Sequence, residues 1–483
     1  MDLRRLFSNF SVALLAQLAS LLMSVFITFL VPKFLNISEF GYWQLFIFYS
    51  SYAGLLTLGL NDGVYLWAGG MSRLSIDKRR VGAQFYFCCA MQLFFSLAIL
   101  GGAWFAVADP SRREVCLALG LYTIVFNLSG FLGYLFQALN ETKLYSYATI
   151  ISRLSFLPPL IVLLLSRSSS SLWYIGFYVF AQLLALLFCI SKAQDFLKAK
   201  PLPVRETLRL SFSSMRIGIK LVLANIASML ILGVMRFAID DKWGINTFGE
   251  VSFALSLVTF FLAFVMQLSM VLFPALRQTA PETLGRTFAS LQKVLGLTLP
   301  LIYLGYFPLT FLVNKWLPQY GETVLYLGVL LPVCLFDSKM SLLGGTFLKV
   351  MRKEGVLLAI NAVSTLFSLV GVVVAVYVVE SVFLSLVATL LAILLRSIMA
   401  ERIVSGFFQV PWRRGIISDL LLTGLFLLAT LQLQPMFAAA AYCCALGVHY
   451  GLSWKELGRI LHLWRTFRAS TSDPSAGGSR EVM

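Results

Sequence analysis

The sequence predicts an all-α polytopic membrane protein. It has about fourteen transmembrane helices, arranged as two six-helix bundles related by a parallel pseudo-twofold repeat, plus two C-terminal helices. Three observations carry this. Of the 483 residues, 59% are apolar and 12% charged, too little charge to coat a soluble body of that size. The mean hydropathy is +0.85. The apolar runs approach or exceed the roughly 20 residues that cross a bilayer as a helix. Backbone groups in lipid must pair within the chain, leaving helices or a closed barrel. Barrel strands alternate apolar and polar residues; these runs do not.

In order, the expected cores are Asn9–Val31, Tyr42–Leu66, Ala83–Ala108, Val115–Leu139, Tyr147–Leu165 and Leu172–Ser191 in the first half. The second half holds Ile217–Ile239, Val251–Phe273, Leu291–Val313, Val324–Phe347, Val356–Val379 and Val382–Met399. Ile416–Leu431 and Pro435–Tyr450 follow as shorter runs. Met1–Phe10 reads as the lead-in to the first span, because no small-residue cleavage site follows it. The polar stretch Lys192–Leu210, with Pro201 and Pro203, reads as a linker. The expected domains are therefore an N-terminal bundle over 1–195, a linker over 196–210, a second bundle over 211–403, two additional helices over 404–452 and a tail over 453–483. The Ser-, Gly- and Asp-rich end of that tail, Ala469–Met483, is expected to be disordered.

The halves rhyme. Lys33–Trp43 reads KFLNISEFGYW and Asp241–Val251 reads DKWGINTFGEV. Ile37, Phe40 and Gly41 recur as Ile245, Phe248 and Gly249, each 208 positions later. The same offset carries Asn140, at the basic loop NETKLYS, to Leu348, beside the basic loop KVMRKEG. Six helices per half is an even number, so both halves begin on the same side. Two halves so related can enclose a cleft that opens to alternate sides.

Net charge is +16, and the basic residues alternate between loops, 28 on one side against 6 on the other. The positive-inside rule makes the first set cytoplasmic, with both termini there. The charge then faces anionic headgroups rather than nucleic acid. The seven cysteines fall in or beside apolar runs with no CxxC pair, and only two histidines occur, so neither a metal nor a redox cofactor is expected. Walker, HExxH and GxSxG patterns do not occur, and no loop is large enough for a soluble catalytic domain.

An N-terminal basic helix, the FLNISEFGYW turn, the LGLNDGVYLWAGG helix end, QALNETKLYSYATIISR and RFAIDDKWGINTFGEVSFALSL together resemble bacterial polysaccharide-biosynthesis flippases. That superfamily also holds multidrug-and-toxin-extrusion exporters and lipid-linked peptidoglycan-precursor flippases. The resemblance covers nearly the whole chain. It implies an inner-membrane protein that moves an undecaprenyl-diphosphate-linked oligosaccharide between leaflets, with two six-helix bundles around a polar, often cationic, cavity. The partners it implies are the lipid-linked oligosaccharide, membrane lipids, a polysaccharide polymerase and glycosyltransferases. An ion-coupled exporter of small cationic molecules is the alternative, and would favour carboxylates in the cleft. A membrane-embedded polymerase is a further reading, weakened by short outer loops.

Ionisable groups in apolar spans cost about 2.5–3.5 kcal/mol on insertion scales, so each is a functional candidate. Arg153 lies about six residues, or roughly 9 Å, into the fifth helix. It reads either as snorkelling or as a cavity cation for the diphosphate, which its planar fork suits. Lys220 follows Arg216 by four residues, one face of the seventh helix. Arg236 lies four residues before Asp240, which favours an ion pair at the outer edge. Lys339, with Asp337 two residues before it, lies well inside the tenth helix, and both are expected to find partners on other helices. Arg153, Lys220, Arg236 and Lys339 are the candidate substrate-binding residues. Asp62, flanked by Gly59 and Gly63, and Asp337 are candidates for gating or ion coupling. Asn127, Gln137, Gln182, Asn225, Gln267 and Asn361 could bond sugar hydroxyls or act as interhelical glue. Pro158-Pro159 should kink the fifth helix.

Overall fold

The computed structural model describes residues 3–454. Of the expected tail, residues 455–483 lie outside the described residues, including the stretch expected to be disordered.

Fourteen spans can be traced, each over one expected core. The first is α1 (Leu3–Phe29). The second, α2, is built of Ile37–Ser51, a 3₁₀ stretch Ala53–Thr57 and Leu60–Ala68. Then come α3 (Lys78–Ala106), α4 (Pro110–Ala138), α5 (Thr142–Leu154 and Leu157–Leu165) and α6 (Ser171–Lys192). The stretch Val204–Gln278 supplies α7 (204–243) and α8 (245–278), separated by a kink at Gly244, whose φ is 77°. Next is α9 (Pro281–Thr298, a 3₁₀ stretch Leu299–Gly305 and Tyr306–Trp316). The tenth span, α10, comprises Thr323–Leu330, Pro332–Lys339, a π-helical turn Met340–Gly345 and Thr346–Val350. Last are α11 (Glu354–Val373, closing on a π-helical turn), α12 (Val382–Phe408), α13 (Arg413–Gln432) and α14 (Pro435–Leu452). Twelve described helices are individually long and apolar enough to cross a membrane; the Val204–Val265 run counts once among them, and the broken α2 is not among them.

Local chemistry explains the boundaries. Asn36 caps α2 by accepting the Glu39 N–H at 2.8 Å. Asp77 caps α3, and Asp109 caps α4 with Pro110 in its first turn. The break in α5 falls at Ser155–Phe156, directly before Pro158-Pro159, where the proline rings would collide with the preceding turn.

The second span was expected as one helix and is instead interrupted. Leu58 takes φ 49° and Gly59 φ 82°, both left-handed. The break frees backbone carbonyls that lipid could not satisfy. Side chains of α3 and α4 serve them: Gln92 donates to Leu56 O at 2.8 Å and Asn127 to Ala53 O at 2.9 Å. Asn127 also donates to Gln92 Oε1 at 2.7 Å, and Asn61 donates to Asn127 O at 3.0 Å.

Within the described residues the chain divides into two compact units, 3–260 with Ser368–Val382, and Phe261–Phe367 with 383–454. In unit 1 a core of Leu60, Val64, Phe131, Leu135, Phe136 and Phe196 joins α2 and α4 to the chain after α6. The two copies of the repeated turn also meet there. A Cβ on Gly41 would lie 2.5 Å from Ile245 O, and one on Gly249 would lie 3.0 Å from Ile37 O. The contact is reciprocal, as a local two-fold requires. In unit 2, α10 is the central span: 89% of its apolar window is buried, against 17–50% for the other candidate spans.

Loops near the ends of α2, α4 and α6 are latched by Arg73. Its guanidinium donates to Glu141 at 2.7 Å, to Asp195 at 2.6 Å and to the carbonyl of Lys192, while Lys78 reaches Asp195 at 3.0 Å.

Two predictions follow from this packing. The second part of α2 crosses α7 so tightly that a Cβ on Gly63 would lie 1.9 Å from Ser214 O and one on Gly218 2.0 Å from Gly59 O. Gly63→Leu should lower stability by about 1–3 kcal/mol or abolish folding, while Gly102→Ala, with open space around it, should be neutral in thermal unfolding of the purified protein. Partial burial pushes the Asp195 carboxyl up, but the bonds from Arg73 and Lys78 outweigh it and hold it down at about 2. A depressed carboxylate stabilises above its unfolded value of about 4 and loses that contribution as pH falls toward 2. Arg73→Gln should therefore melt at a lower temperature than wild type at pH 7, and lose less further stability across that acid window.

Candidate functional site

Unit 1 contains a cavity of about 360 Å³ at the break in α2. Tyr52, Thr57, Asn61 and Asp62 of α2, Asn127 and Tyr134 of α4, and Tyr145, Thr149 and Arg153 of α5 line it, with Gln182 of α6 and Asn225 of α7. Two of the six predicted site residues, Arg153 and Asp62, thus share one cavity, together with three of the predicted amides.

The cation is held but not neutralised. Arg153 Nη1 donates to the Tyr178 hydroxyl at 3.4 Å, and Nε is buried without a hydrogen-bond partner. Tyr178 is itself fixed by rings at 5.5–6.0 Å from Trp43, Phe46, Tyr122 and Phe156. The aromatic cluster therefore aims the guanidinium while leaving donors for an anion. Asp62 stands in the first turn after the break, the end of a helix that favours a carboxylate. No ion pair engages it or Arg153 among the described residues. The cavity thus presents one positive and one negative group, ringed by amides and phenols.

The other four candidates lie elsewhere. Lys220 is exposed, as is Arg216, on the side of α7 opposite the buried Ser214 and Gly218 that pack on α2. Arg236 does not pair with Asp240, which corrects the expected outer-edge pair. Asp240 is taken by Arg112 of α4 in a bidentate pair, both distances 2.6 Å, a geometry that outcompetes a neighbour on the same helix. Arg236 instead lies against Phe48 and Phe248, 4.3 and 4.9 Å from the ring centroids, and donates to Ser252 Oγ at 2.9 Å.

Asp337 and Lys339 do find partners on other helices, inside unit 2. Arg396 of α12 donates to Asp337 at 2.9 Å and to Asn361 at 2.9 Å. Lys339 donates to Glu401 of α12 at 3.3 Å and to Asp419 of α13, and Gln292 of α9 donates to Glu401 at 2.6 Å. Only 2% of the Lys339 side chain is exposed, so it is engaged by protein rather than open to a ligand. Glu401 and Asp419 were not among the sequence candidates. Asp419 had a readable signal, an acid inside the thirteenth apolar run. Gln137 lines a separate surface pocket, and the Gln267 side chain lies outside the described residues.

No protein-family model matches the sequence, and no similar sequence was found among curated proteins. Solved structures do match in fold. The lipid II flippase MurJ in an inward closed conformation superposes with a TM-score of 0.62 at 9% identity, covering 93% of this chain and 99% of that one. An inward-facing multidrug-resistance MATE transporter of the MOP superfamily gives 0.57 at 10% identity, covering 84% and 99%. A MATE transporter of Vibrio cholerae gives 0.55 at 13% identity, covering 84% and 97%. The chain is thus a polytopic membrane protein with the fold of these transporters.

The buried trio yields a prediction. Removing the ammonium leaves two buried carboxylates facing each other. Lys339→Met should cost about 3–5 kcal/mol, and the triple variant Lys339→Met, Glu401→Gln, Asp419→Asn should recover much of it in chemical unfolding.

Proposed function

We propose that this protein is a flippase that moves undecaprenyl-diphosphate-linked oligosaccharide units across the cytoplasmic membrane by alternating access, for polysaccharide biosynthesis. The observation that carries this reading is Arg153, a guanidinium with unused donors, in a cavity lined also by amides, hydroxyls, apolar side chains and the single carboxylate of Asp62. Charge-assisted hydrogen bonds from a planar fork suit phosphate oxygens. The Gln182 and Asn225 amides suit sugar hydroxyls. At about 360 Å³ the cavity is at the small end of ligand sites, enough for the diphosphate and the first sugar but not a whole repeat unit. The fold shared with a lipid II flippase supports the same reading.

The task needs no covalent step. A polar site replaces the water that a sugar loses on entering the apolar layer, and the prenyl tail stays in lipid. The membrane potential supplies about 2.3 kcal/mol per charge per 100 mV. A polymerase and glycosyltransferases would act on either side of this step.

A second reading, an exporter of small cationic molecules, is favoured by Asp62, a carboxylate in the same cavity with no ion pair among the described residues, and by the fold shared with MATE transporters. Deleting the gene and resolving lipid-linked intermediates by leaflet separates the two. Sugar-loaded carrier accumulating on the cytoplasmic leaflet is the expected result. Normal carrier distribution with raised sensitivity to cationic drugs would overturn the flippase reading. Arg153→Ala should reduce polymer output at unchanged protein level, with Arg153→Lys retaining part of it, since an ammonium keeps the charge but loses the fork. Asp62→Asn should affect drug sensitivity only if the exporter reading holds.

A further inference from the structure

Ionisable side chains inside unit 2 are paired unevenly. Asp337 with Arg396 and Lys339 with Glu401 are two balanced pairs, and both tie α10 to α12. Asp419 arrives from α13 as a second carboxylate on the same ammonium. Lys339, Glu401 and Asp419 each have no more than 3% of the side chain exposed. With all three ionised, the trio carries one negative charge in excess. A buried surplus charge is expensive, and such a group takes up a proton instead.

The trio is also reached from outside. A cavity of about 1000 Å³ between α9, α13 and α14 runs from the exposed Arg414 and Trp454 down to Gln292 and Asp419. Gly415 forms part of its wall. A Cβ there would lie 3.8 Å from Glu401 Oε1 and 4.0 Å from Gln292 Nε2, so the missing side chain leaves the approach to Glu401 open.

The groups facing the trio do not cancel the surplus. Lys293 and Arg414 are exposed, and solvent screens them. The Tyr303 hydroxyl is bonded to Thr423, and Tyr442 donates to Pro300 O. His449 Nε2 lies 3.3 Å from Gly296 O, a carbonyl that Pro300, lacking an N–H, cannot engage. A carbonyl only accepts, so Nε2 carries the hydrogen, and Nδ1 meets Ser418 Oγ at 2.9 Å.

We propose that Asp419 and Glu401 share one exchangeable proton, held over Lys339 and loaded through this cavity. Loading forms an O–H bond on a carboxylate oxygen and converts a hydronium ion in the cavity to water; release reverses both.

Infrared spectroscopy of the full-length protein in lipid nanodiscs tests it, through a pH titration and a transfer from H₂O to D₂O. In an Asp62→Asn background, a protonated-carboxyl C=O band should titrate, and Asp419→Asn should remove it. Gly415→Leu should keep the band but slow its deuterium shift. Should Asp419→Asn not fold, ¹³C-labelled aspartate and glutamate in the parent should shift the band. Absence of a titrating band, its survival in Asp419→Asn with Glu401→Gln, or its failure to shift with either label would overturn the proton site. Unchanged exchange in Gly415→Leu would overturn the route.

Discussion

The cost of carrying polar groups through an apolar layer governs this structure. A charge or an unpaired carbonyl that water would solvate freely must find a partner inside the protein. The break in α2 exists only because Gln92 and Asn127 serve the carbonyls it frees. At the 3₁₀ stretch around Pro300, α14 supplies His449, Tyr450 and Tyr442 to neighbouring carbonyls. In both places an irregular backbone coincides with a cavity.

Embedded charges fall into two kinds under the same constraint. Asp240 with Arg112, and Asp337 with Arg396, are satisfied pairs that fasten one helix to another. Their net contribution to stability is small, because desolvation offsets attraction, but removing one partner is costly. Arg153 and Asp62 are the other kind: they line a cavity, and no ion pair engages them among the described residues. That difference, and not depth in a span, sets the candidate cavity apart from the paired charges. Arg236 stands between, partnered by rings and a hydroxyl rather than by a carboxylate.

The transporter fold was legible because its signals are local. Length and hydropathy placed the apolar runs, and Pro158-Pro159 marked the break in α5. The repeat was legible too, from Ile37, Phe40 and Gly41 recurring at Ile245, Phe248 and Gly249. The structure adds why glycine stands at both positions: each faces the other turn's backbone too closely for a side chain. Of the candidate cavity, two charged residues were legible. Rarity of charge in spans singled out Arg153 and Asp62, but the same rule singled out Lys339, which is engaged by Glu401 and Asp419.

By itself, then, the sequence determined where the long apolar helices lie, that the fifth of them bends at Pro158-Pro159, and which side chains are too polar to be there without a partner. These depend on each residue and its near neighbours along the helix. Only the tertiary structure decided which partner each one has. Asp240 lies one turn from Arg236 in sequence yet takes Arg112 from 128 positions away. Lys339 reaches residues 62 and 80 positions on. Partner choice is settled by packing between helices, and the energy of a charge in a span depends on the atoms that surround it there rather than on its place in the chain.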